Sequence, residues 1–427
     1  MLTHWHQRDV DALLSGLGGE ASVSIRLNPA RGAVAVEQID GYDGRVPWCN
    51  DGVYLRERPL FTADPLLHAG AYYVQEASSM FLHHGLQHIL TSSGMMPAAA
   101  LDLCAAPGGK STLLRSLLPD SCLLVSNEVV RPRAQVLAEN MAKWGVGNVV
   151  VTNASVATLA DSCGSLVSAD GFDVIVADVP CSGEGMFRKE EEAVRQWTPQ
   201  LVDDCAATAR DIVSRIWPCL RRGGTLVFST CTFNPIEDED MVEWICRELG
   251  GETIAVPVAD EWGIVGDMRA ARLSDDRLHC YHFLPGRVRG EGFFIAFVRK
   301  TEGEALIRKP TLSYVDGPKP AAARANQRQR LARRQSSPSD ALNILPVNQL
   351  DDPSAPKVDV SMEQAVRYLQ HEAITLPADA PTGIVQVCFR GQRLGLAKNI
   401  GSRANNLYPK EWRIRSSHIQ PHCILPQ

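Results

Sequence analysis

Apolar residues recur in short continuous runs through the middle of the chain, between about residues 98 and 300, and stretches of helical length separate the runs. Continuous runs rich in Val, Ile and Leu are typical of parallel strands that are covered on both faces of a sheet. Six strands are predicted on this basis: 99–104, 122–128, 148–153, 172–179, 224–230 and 292–298. The pattern favours a doubly wound α/β domain, in which ligands bind beyond the carboxyl ends of the strands.

Two smaller regions flank the predicted domain. The first 65 or so residues mix polar turns with short apolar runs, which indicates a small α/β unit. Residues 317–339 contain six Lys/Arg and no acid, which is typical of a solvated linker or an RNA-contacting arm. Residues 383–427 contain strand-like segments around a turn at Gly391 and seven Lys/Arg against the single acid Glu411. A small, basic, β-rich module is therefore predicted at the end of the chain.

Composition restricts the class of protein. A chain of 427 residues with 45% hydrophobic and 22% charged residues is predicted to fold into two to four globular domains. The formal charge of -6 means that affinity for a polyanion must come from local basic patches. Twelve scattered cysteines without a CxxC pair predict reduced thiols and no metal site. Because the chain also lacks a long apolar run and a secretion signal at its start, a cytoplasmic protein is expected.

A glycine-rich turn follows the first predicted strand, in the sequence LDLCAAPGGKST at 101–112. Gly108 and Gly109 let the backbone pass close to a ligand, and the following helix offers unpaired N–H groups to an anionic group. The stretch nearly matches a phosphate-binding loop. That motif needs glycine where Cys104 stands, however, and Pro107 removes one of the N–H groups it would use. The turn is therefore predicted to hold a different small molecule.

The second predicted strand ends in Glu128, where a carboxylate accepts hydrogen bonds from the two hydroxyls of a ribose in many α/β domains. A glycine turn after one strand and a ribose acid after the next together indicate an adenosine-containing cofactor. The chain has no G-x-G-x-x-G fingerprint, which weakens the case for a dinucleotide. S-adenosylmethionine remains as the predicted cofactor.

Two cysteines follow the fourth and fifth predicted strands, Cys181 in DVPCSGEG and Cys231 in STCTFNPIEDE. Both are predicted to face one cleft, at the sheet edge that also holds the glycine-rich turn, which is called the cofactor loop (residues 104–110) below. The alternative is that each cysteine is simply packed within its loop. Two thiols suit the methylation of carbon 5 of a pyrimidine. One thiolate adds to carbon 6 and makes carbon 5 nucleophilic, and a base then removes the carbon 5 proton so that the thiol can leave.

Neighbouring residues are predicted to assist the thiols. Asp178 can hydrogen-bond the Watson–Crick edge of an extruded base and favour protonation of ring nitrogen 3. Asn234, Pro235 and Glu237 have the pattern of the N-cap, N1 and N3 positions of a helix, whose positive end would lie near Cys231.

These motifs, in this order and at these separations, resemble the Sun/Nop-type RNA cytosine-5 methyltransferases. Residues 70–80 resemble the segment that precedes the fold in that family, and residues 285–300 resemble its last strand region. The terminal segment GQRLGLAKN...NNLYPKEWRIRS is similar to the PUA-like RNA module of the bacterial RsmF/YebU-type 16S rRNA methyltransferases.

The resemblance implies a Rossmann-like S-adenosylmethionine-dependent methyltransferase fold. It implies that Cys231 is the nucleophile and that Cys181 assists release, whereas DNA cytosine methyltransferases use their Pro-Cys thiol as nucleophile. The implied cofactor-binding residues are Cys104, Ala105, Ala106, Pro107, Gly108, Gly109, Lys110, Glu128 and Asp178. Where the family often has an acid near the adenine, this chain reads TNAS, so Asn153 and Ser155 are both candidates. Arg133 is either a contact to substrate or cofactor or a solvated helical arginine.

Four regions are therefore expected: an N-terminal α/β RNA-binding unit at 1–68, the methyltransferase domain at 69–302, a basic linker at 303–345 and a PUA-like RNA-binding module at 346–427. The expected activity is methylation of cytosine carbon 5 in RNA, with 16S ribosomal RNA or the small ribosomal subunit as partner. A monomer without membrane association is expected. Two alternatives remain open, namely transfer RNA as substrate and an inactive RNA-binding assembly factor.

Overall fold

The computed structural model of the protein describes residues 7–145, 147–167, 170–269, 278–303, 342–347, 350–416 and 420–426. Its contacts group the chain into two compact units. The first unit comprises the described parts of 1–22, 78–137 and 148–346, and the second comprises those of 23–77, 138–147 and 347–427. Segments far apart in the sequence thus share a unit, while the linear division into four regions stays a prediction.

The described residues contain helices and strands in the following chain order. The helices are α1 Gln7–Leu17, α2 Pro65–His68, α3 Phe81–Ser93, α4 Gly109–Leu117, α5 Arg131–Trp144, α6 Val156–Leu166, α7 Glu191–Gln196, α8 Pro199–Ile216, α9 Glu239–Leu249 and α10 Met362–Leu369. The strands are β1 Val23–Leu27, β2 Tyr42–Arg45, β3 Gly52–Leu55, β4 Tyr72–Val74, β5 Ala99–Asp102, β6 Leu123–Asn127, β7 Val149–Thr152, β8 Phe172–Asp178, β9 Leu220–Thr230, β10 Gly251–Thr253, β11 Cys280–Phe283, β12 Phe293–Lys300, β13 Ile344–Leu345, β14 Lys357–Asp359, β15 Gly383–Phe389, β16 Gln392–Asn399 and β17 Ala404–Asn406.

The first unit is built on one large sheet with the strand order β10-β12-β9-β8-β5-β6-β7-β13, and β11 pairs with β12. Strands β9, β8, β5, β6 and β7 are parallel, whereas β12 and β13 run antiparallel to their neighbours. All six predicted segments form strands, and five of them are parallel as expected, but the prediction of a parallel strand at 292–298 is wrong because β12 runs antiparallel to β9. Since β5 lies between β6 and β8, the strand order reverses at β5, and a ligand crevice forms at such a reversal.

Burial explains why the apolar runs form this sheet. All four residues of β5 and of β7, and the first six of β8, are buried, so both faces of these strands are covered. Val213 of α8 and Ile245 of α9 belong to the same hydrophobic cluster as Ile175 of β8. Residues with branched side chains on both faces suit a covered parallel strand and leave no polar face for solvent. The predicted α/β architecture is confirmed.

The second unit contains two four-stranded sheets, with the orders β2-β3-β1-β4 and β14-β15-β16-β17. The hairpin between β15 and β16 turns at Gly391, where φ is +72°, as the sequence predicted. Ile25 and Val53 of the first sheet lie in one hydrophobic cluster with Val385 and Val387 of the second. The amino-terminal α/β segment and the terminal β-rich module therefore share a core.

The basic segment at 317–339 lies outside the described residues. Among the described helices, none combines the length and the apolar character needed to cross a membrane.

Candidate active site

The predicted functional loops follow four neighbouring parallel strands of the large sheet, β6, β5, β8 and β9. The carboxyl ends of parallel neighbours meet at one edge, so the cofactor loop 104–110, Glu128 and the two cysteine loops share that edge. Asp178 ends β8 and lies in register with Ser229 of β9. The predicted placement of the two thiol motifs on one sheet edge is confirmed.

The cofactor loop between β5 and α4 is held by its backbone. Gly108 has a φ of +116° immediately before α4, a conformation that residues with a Cβ rarely adopt. The N–H of Ala105 donates to the carbonyl oxygen of Asn127 at 2.8 Å, which ties the loop to the end of β6. Burial raises the pKa of the Cys104 thiol to about 12, so this thiol stays neutral. Cys104 is thus suited to line the loop and unsuited to act as a nucleophile.

Asp102 lies beneath the loop and is fully buried. Its Oδ2 accepts a hydrogen bond from the hydroxyl of Ser111 at 2.6 Å, whereas Oδ1 has no hydrogen-bond partner in the described part of the chain. Burial raises the pKa of the Asp102 carboxyl to about 7. A buried carboxylate oxygen without a donor is uncommon in native proteins, and it fits a site whose missing donor belongs to a ligand.

Glu128 is buried at the end of β6, and Arg133 connects it to the cofactor loop. The Glu128 Oε1 accepts a hydrogen bond from the N–H of Val130 at 2.8 Å. One nitrogen of the Arg133 guanidinium lies 3.6 Å from Glu128 Oε2, and another donates to the carbonyl oxygen of Ala106 at 3.0 Å. The Arg133 side chain is 58% exposed, and its contacts connect the predicted ribose acid with the predicted cofactor loop.

Asn153 and Ser155, the two candidates for an adenine contact, have other partners in the structure. The amide nitrogen of Asn153 donates to the carbonyl oxygens of Glu128 and Val129, at 2.7 and 2.9 Å. The Ser155 hydroxyl caps α6 by accepting from the N–H of Thr158 at 3.2 Å. Asn153 still places its side chain beside Glu128, whereas Ser155 acts as a helix cap.

Asn127 is a site residue that sequence reasoning missed. Its amide nitrogen donates to the carbonyl oxygens of Leu103 and Ala154, each at 3.1 Å. Its amide oxygen accepts from the hydroxyl of Thr152 and from the N–H of Ala154. Asn127 thereby fastens together the chain segments that leave β5, β6 and β7. The signal in the sequence was the amide side chain of Asn127 at the end of a mainly apolar strand.

The two predicted catalytic thiols are in contact. The Sγ atoms of Cys181 and Cys231 lie 3.3 Å apart, and the N–H of Cys231 lies 3.3 Å from Cys181 Sγ. The hydrogen bond from the Cys181 thiol, together with the nearby Lys110 ammonium, lowers the pKa of Cys231 below its usual range despite burial. The same sulfur contact and burial raise the pKa of Cys181. A Cys181 thiol that donates to the Cys231 sulfur therefore favours the thiolate form of Cys231.

Lys110 and Asp178 form an ion pair next to the thiols. The Lys110 Nζ lies 2.8 Å from Asp178 Oδ2, and the Ser229 hydroxyl donates to Asp178 Oδ1 at 2.7 Å. Burial alone would lower the pKa of Lys110, but the Asp178 carboxylate beside it raises that pKa, so the ammonium keeps its charge. The Asp178 side chain is 34% exposed, which leaves it open to a ligand in the cleft. The predicted cofactor-loop lysine is thus paired with Asp178 and is near enough to Cys231 to lower the pKa of that thiol.

The predicted helix start after Cys231 is wrong. Helix α9 begins at Glu239 and is preceded by a turn over residues 235–238. The Asn234 side chain accepts from the N–H of Ile236, which closes a local turn, and the carboxylate of Glu237 binds Ser182 on the other cysteine loop. The positive charge near Cys231 therefore comes from Lys110 and not from a helix terminus at Asn234.

Profiles of three protein families match successive parts of the chain. They are the N-terminal domain of 16S rRNA methyltransferase RsmF at residues 1–77, the 16S rRNA methyltransferase RsmB/F family at 96–299 and the methyltransferase RsmF PUA domain at 355–414. Ribosomal RNA small subunit methyltransferase F of Cronobacter sakazakii is 31% identical over 91% of this chain and 89% of its own length. The chain belongs to the RsmF family. A relative of the same name in Escherichia coli is 29% identical, over 86% of this chain and 84% of that protein.

Solved structures support the same fold. A methyltransferase homolog from Pyrococcus horikoshii has a TM-score of 0.55 at 24% identity and covers 70% of this chain and 92% of its own. NSun6 from the same organism, solved with SFG, has a TM-score of 0.54 at 17% identity. The match covers 71% of this chain and 97% of the NSun6 chain. The Rossmann-like methyltransferase fold with RsmF-type N-terminal and PUA domains is confirmed, and the RsmF family places the chain among RNA methyltransferases.

Proposed function

We propose that this protein methylates carbon 5 of a cytosine in 16S ribosomal RNA, using S-adenosylmethionine and a covalent adduct to Cys231. The observation that carries the proposal is the 3.3 Å contact between the Cys181 and Cys231 sulfur atoms at the carboxyl edge of the sheet. The names of the relatives, ribosomal RNA small subunit methyltransferases, support the choice of RNA. Two thiols in contact suit a reaction that needs both a nucleophile and a base at adjacent ring carbons.

Cys231 is the proposed nucleophile. Its thiolate is favoured by the Cys181 hydrogen bond and by the Lys110 ammonium. The thiolate adds to carbon 6 of the cytosine, the double bond between carbons 5 and 6 opens, and ring nitrogen 3 takes up a proton from solvent. Carbon 5 is then nucleophilic enough to accept a methyl group.

Cys181 is the proposed group that restores the ring. While Cys231 is a thiolate, a second negative charge 3.3 Å away is unfavourable, which agrees with the raised pKa of Cys181. Once the Cys231 sulfur is bonded to carbon 6 it is neutral, so ionisation of Cys181 is no longer opposed. The Cys181 thiolate then removes the carbon 5 proton, and the double bond between carbons 5 and 6 forms again. Cys231 leaves carbon 6 as a thiolate, and ring nitrogen 3 gives its proton back to solvent.

Asp178 is the proposed contact to the extruded base. Lys110 binds one oxygen of the carboxylate and Ser229 donates to the other, while about a third of the side chain stays exposed. A carboxylate fixed in this way accepts hydrogen bonds from the amino group and the protonated ring nitrogen of cytosine as the adduct forms. Asp178 would thereby stabilise the protonated ring more than the neutral base.

The residues at the other side of the cleft fit S-adenosylmethionine. Loop 104–110 presents backbone groups at the start of α4, and Asp102 has a buried oxygen without a donor among the described residues. The Glu128 carboxylate is oriented by Val130 and Arg133 and would accept the ribose hydroxyls, with Asn153 beside it for the adenine. Asp178 borders the loop through Lys110. When bound here, the cofactor supplies the methyl group as an electrophile.

RNA binding outside the cleft is proposed for the amino-terminal and PUA-like regions, most of whose residues belong to the second unit. Six of the seven basic residues in 383–427 are exposed, and only Arg393 is buried. Exposed Lys and Arg side chains bind phosphates without regard to sequence. The regions 1–68 and 346–427, proposed from the sequence, would thus position the RNA while the cleft acts on one base.

A methyl-transfer assay tests the proposed function. Purified protein is incubated with methyl-labelled S-adenosylmethionine and, separately, with 16S rRNA, assembled small subunits or transfer RNA, and bisulfite sequencing then locates 5-methylcytosine. We expect label and a resistant cytosine in ribosomal RNA, free or assembled. Label in transfer RNA alone would show that transfer RNA, and not ribosomal RNA, is the substrate. Absence of label from every RNA would support the alternative of an inactive RNA-binding assembly factor.

Neutralising exposed basic residues of the PUA-like region should weaken RNA binding in a salt-dependent way. The double substitution Lys398→Gln and Arg403→Gln removes two exposed cations near β17. If each contacts a phosphate, the slope of log Kd against log salt falls by about 0.7 to 0.9 per contact. Fluorescence anisotropy of a labelled rRNA fragment from low to high salt measures the slope.

The matched control removes two exposed arginines of the first unit, which does not contain Lys398 or Arg403. Arg215 lies in the last turn of α8, and Arg222 lies near the start of β9, where the amino ends of the parallel strands meet. Arg215→Gln with Arg222→Gln makes the same change in net charge and should leave the slope unchanged. Equal slopes for both double variants and the wild type would argue against phosphate contacts at Lys398 and Arg403.

A further inference from the structure

Two buried glutamates connect the loops that carry the thiols, and neither has a role in the mechanism above. Glu237, on the loop after β9, is 2% exposed. Its carboxylate accepts two hydrogen bonds from Ser182, from the N–H at 2.8 Å and from the hydroxyl at 2.5 Å. Ser182 directly follows Cys181, and its hydroxyl also lies 3.0 Å from that of Thr232, which directly follows Cys231. Glu237 therefore fixes the backbone next to both thiols.

Glu184 makes the reciprocal connection. It lies on the loop after β8 and is also 2% exposed. One carboxylate oxygen accepts from the N–H of Phe233 at 3.1 Å, and the other accepts from the side chains of Asn234 and Trp197. Each cysteine loop thus contributes one carboxylate that binds donors of the other loop.

The backbone leaves little freedom between the two loops. The N–H of Gly185 donates to the carbonyl oxygen of Cys231 at 2.8 Å. A Cβ on Gly185 would lie 2.8 Å from that oxygen and 2.5 Å from the carbonyl oxygen of Gly292, so only glycine permits this approach. The loops are therefore joined by close packing as well as by the two carboxylates.

We propose that Glu184 and Glu237 are positioning residues, which hold the two loops so that the Cys181 and Cys231 sulfur atoms stay in contact. The catalytic consequence rests on the proposed function, whereas the sulfur separation does not. Two reacting groups that must act on adjacent ring carbons need a fixed separation, and a misplacement of about 1 Å can reduce a rate about 100-fold. The alternative is that both carboxylates contribute only to stability.

The test substitutes Glu237→Gln and Glu184→Gln and measures how fast the two thiols join. The glutamine amide group turns one acceptor into a donor, which then faces the donors of Ser182 or Phe233. Diamide, a diazene oxidant, converts the pair to a disulfide: both S–H bonds break, an S–S bond forms, and the N=N bond is reduced to a hydrazine. Mass spectrometry of the peptides containing Cys181 and Cys231 follows the rate without RNA or cofactor.

We expect both variants to form this disulfide at least about 10-fold more slowly, and to lose about 100-fold in kcat while Kd for S-adenosylmethionine stays within about twofold. Ser182→Ala, which removes one donor to Glu237 but keeps the N–H, should slow the disulfide less. This milder variant tests the proposal if Glu237→Gln does not fold. If the methylation assay fails but the disulfide slows, the positioning role holds and the proposed function does not.

Asp173→Asn is the matched control. Asp173 is a buried carboxylate at the opposite end of β8, and it accepts hydrogen bonds from the N–H groups of Ala98 and Ala99. This substitution should lower the melting temperature but leave the rate of disulfide formation and kcat near the wild-type values. Wild-type disulfide rates in Glu237→Gln and Glu184→Gln, or an equal slowing in Asp173→Asn, would overturn the proposal.

Discussion

Replacing Cys181 with alanine is expected to trap the protein on its RNA substrate. Without the Cys181 sulfur, the carbon 5 proton is not removed after methyl transfer, and the bond from Cys231 to carbon 6 persists. The Cys181→Ala protein should therefore migrate as a protein–RNA complex on a denaturing gel when S-adenosylmethionine and substrate RNA are present. Turnover should fall by about 10² to 10⁴-fold, which is the usual contribution of a positioned base.

The substitution of Cys231 shows which of the two thiols is the nucleophile. Cys231→Ala removes the proposed nucleophile, so it should form no covalent complex and release no methylated RNA. The double variant should behave like Cys231→Ala, because release is irrelevant when no adduct forms. A complex with Cys231→Ala and none with Cys181→Ala would exchange the two assignments, as the Pro-Cys nucleophile of DNA cytosine methyltransferases would have suggested.

Asp178→Asn is expected to have the second large effect. An amide keeps one of the two acceptor oxygens but directs an N–H₂ group at Lys110 or at Ser229, both of which are donors. The Lys110 ammonium also loses its ion-pair partner, and the protonated cytosine ring loses a charged acceptor. We expect kcat/KM to fall by about 10² to 10⁴-fold, measured by release of methyl label into RNA.

Two further measurements separate the roles of Asp178. In the Cys181→Ala background, Asp178→Asn should abolish the covalent complex, because ring protonation accompanies the attack of Cys231. Calorimetric titration with S-adenosylmethionine then shows how much of the loss comes from cofactor binding. The control Asp173→Asn lies on the same strand at its other end. Activity of Asp178→Asn within about threefold of wild type would contradict contact with the base, since a charged hydrogen bond contributes more than that.

The sequence was sufficient to predict the sheet of the first unit because the central strands of that sheet are covered on both faces. Each buried strand must then be a continuous apolar run, and the residues at the carboxyl ends, Asp102, Glu128 and Asp178, follow directly from the strand positions. The placement of Cys181 beside Cys231 follows from the pairing of β8 with β9. The proximity of the two cysteine loops could therefore be predicted, because neighbouring parallel strands end at the same edge of the sheet.

Side-chain contacts between distant loops could not be predicted in the same way. Glu237 has the spacing of a capping residue, but Ser182 on the other loop competes for its carboxylate and α9 starts later. Asn127 looks like an ordinary strand end, yet it satisfies backbone groups of two other segments. Such choices depend on which donors the fold brings near, and local propensity carries no information about them.

Strands β1 and β3 share one hydrophobic cluster with the much later strand β15, which has a consequence for biosynthesis. Ile25 and Val53 leave the ribosome early, but Val385 and Val387, which lie in the same cluster, are made only after the whole catalytic unit. At about 5–20 residues per second, the early strands wait on the order of tens of seconds for their partners. During that interval the apolar surface that later packs in one cluster with Val385 and Val387 lacks part of its native cover, so chaperones should bind the nascent chain there.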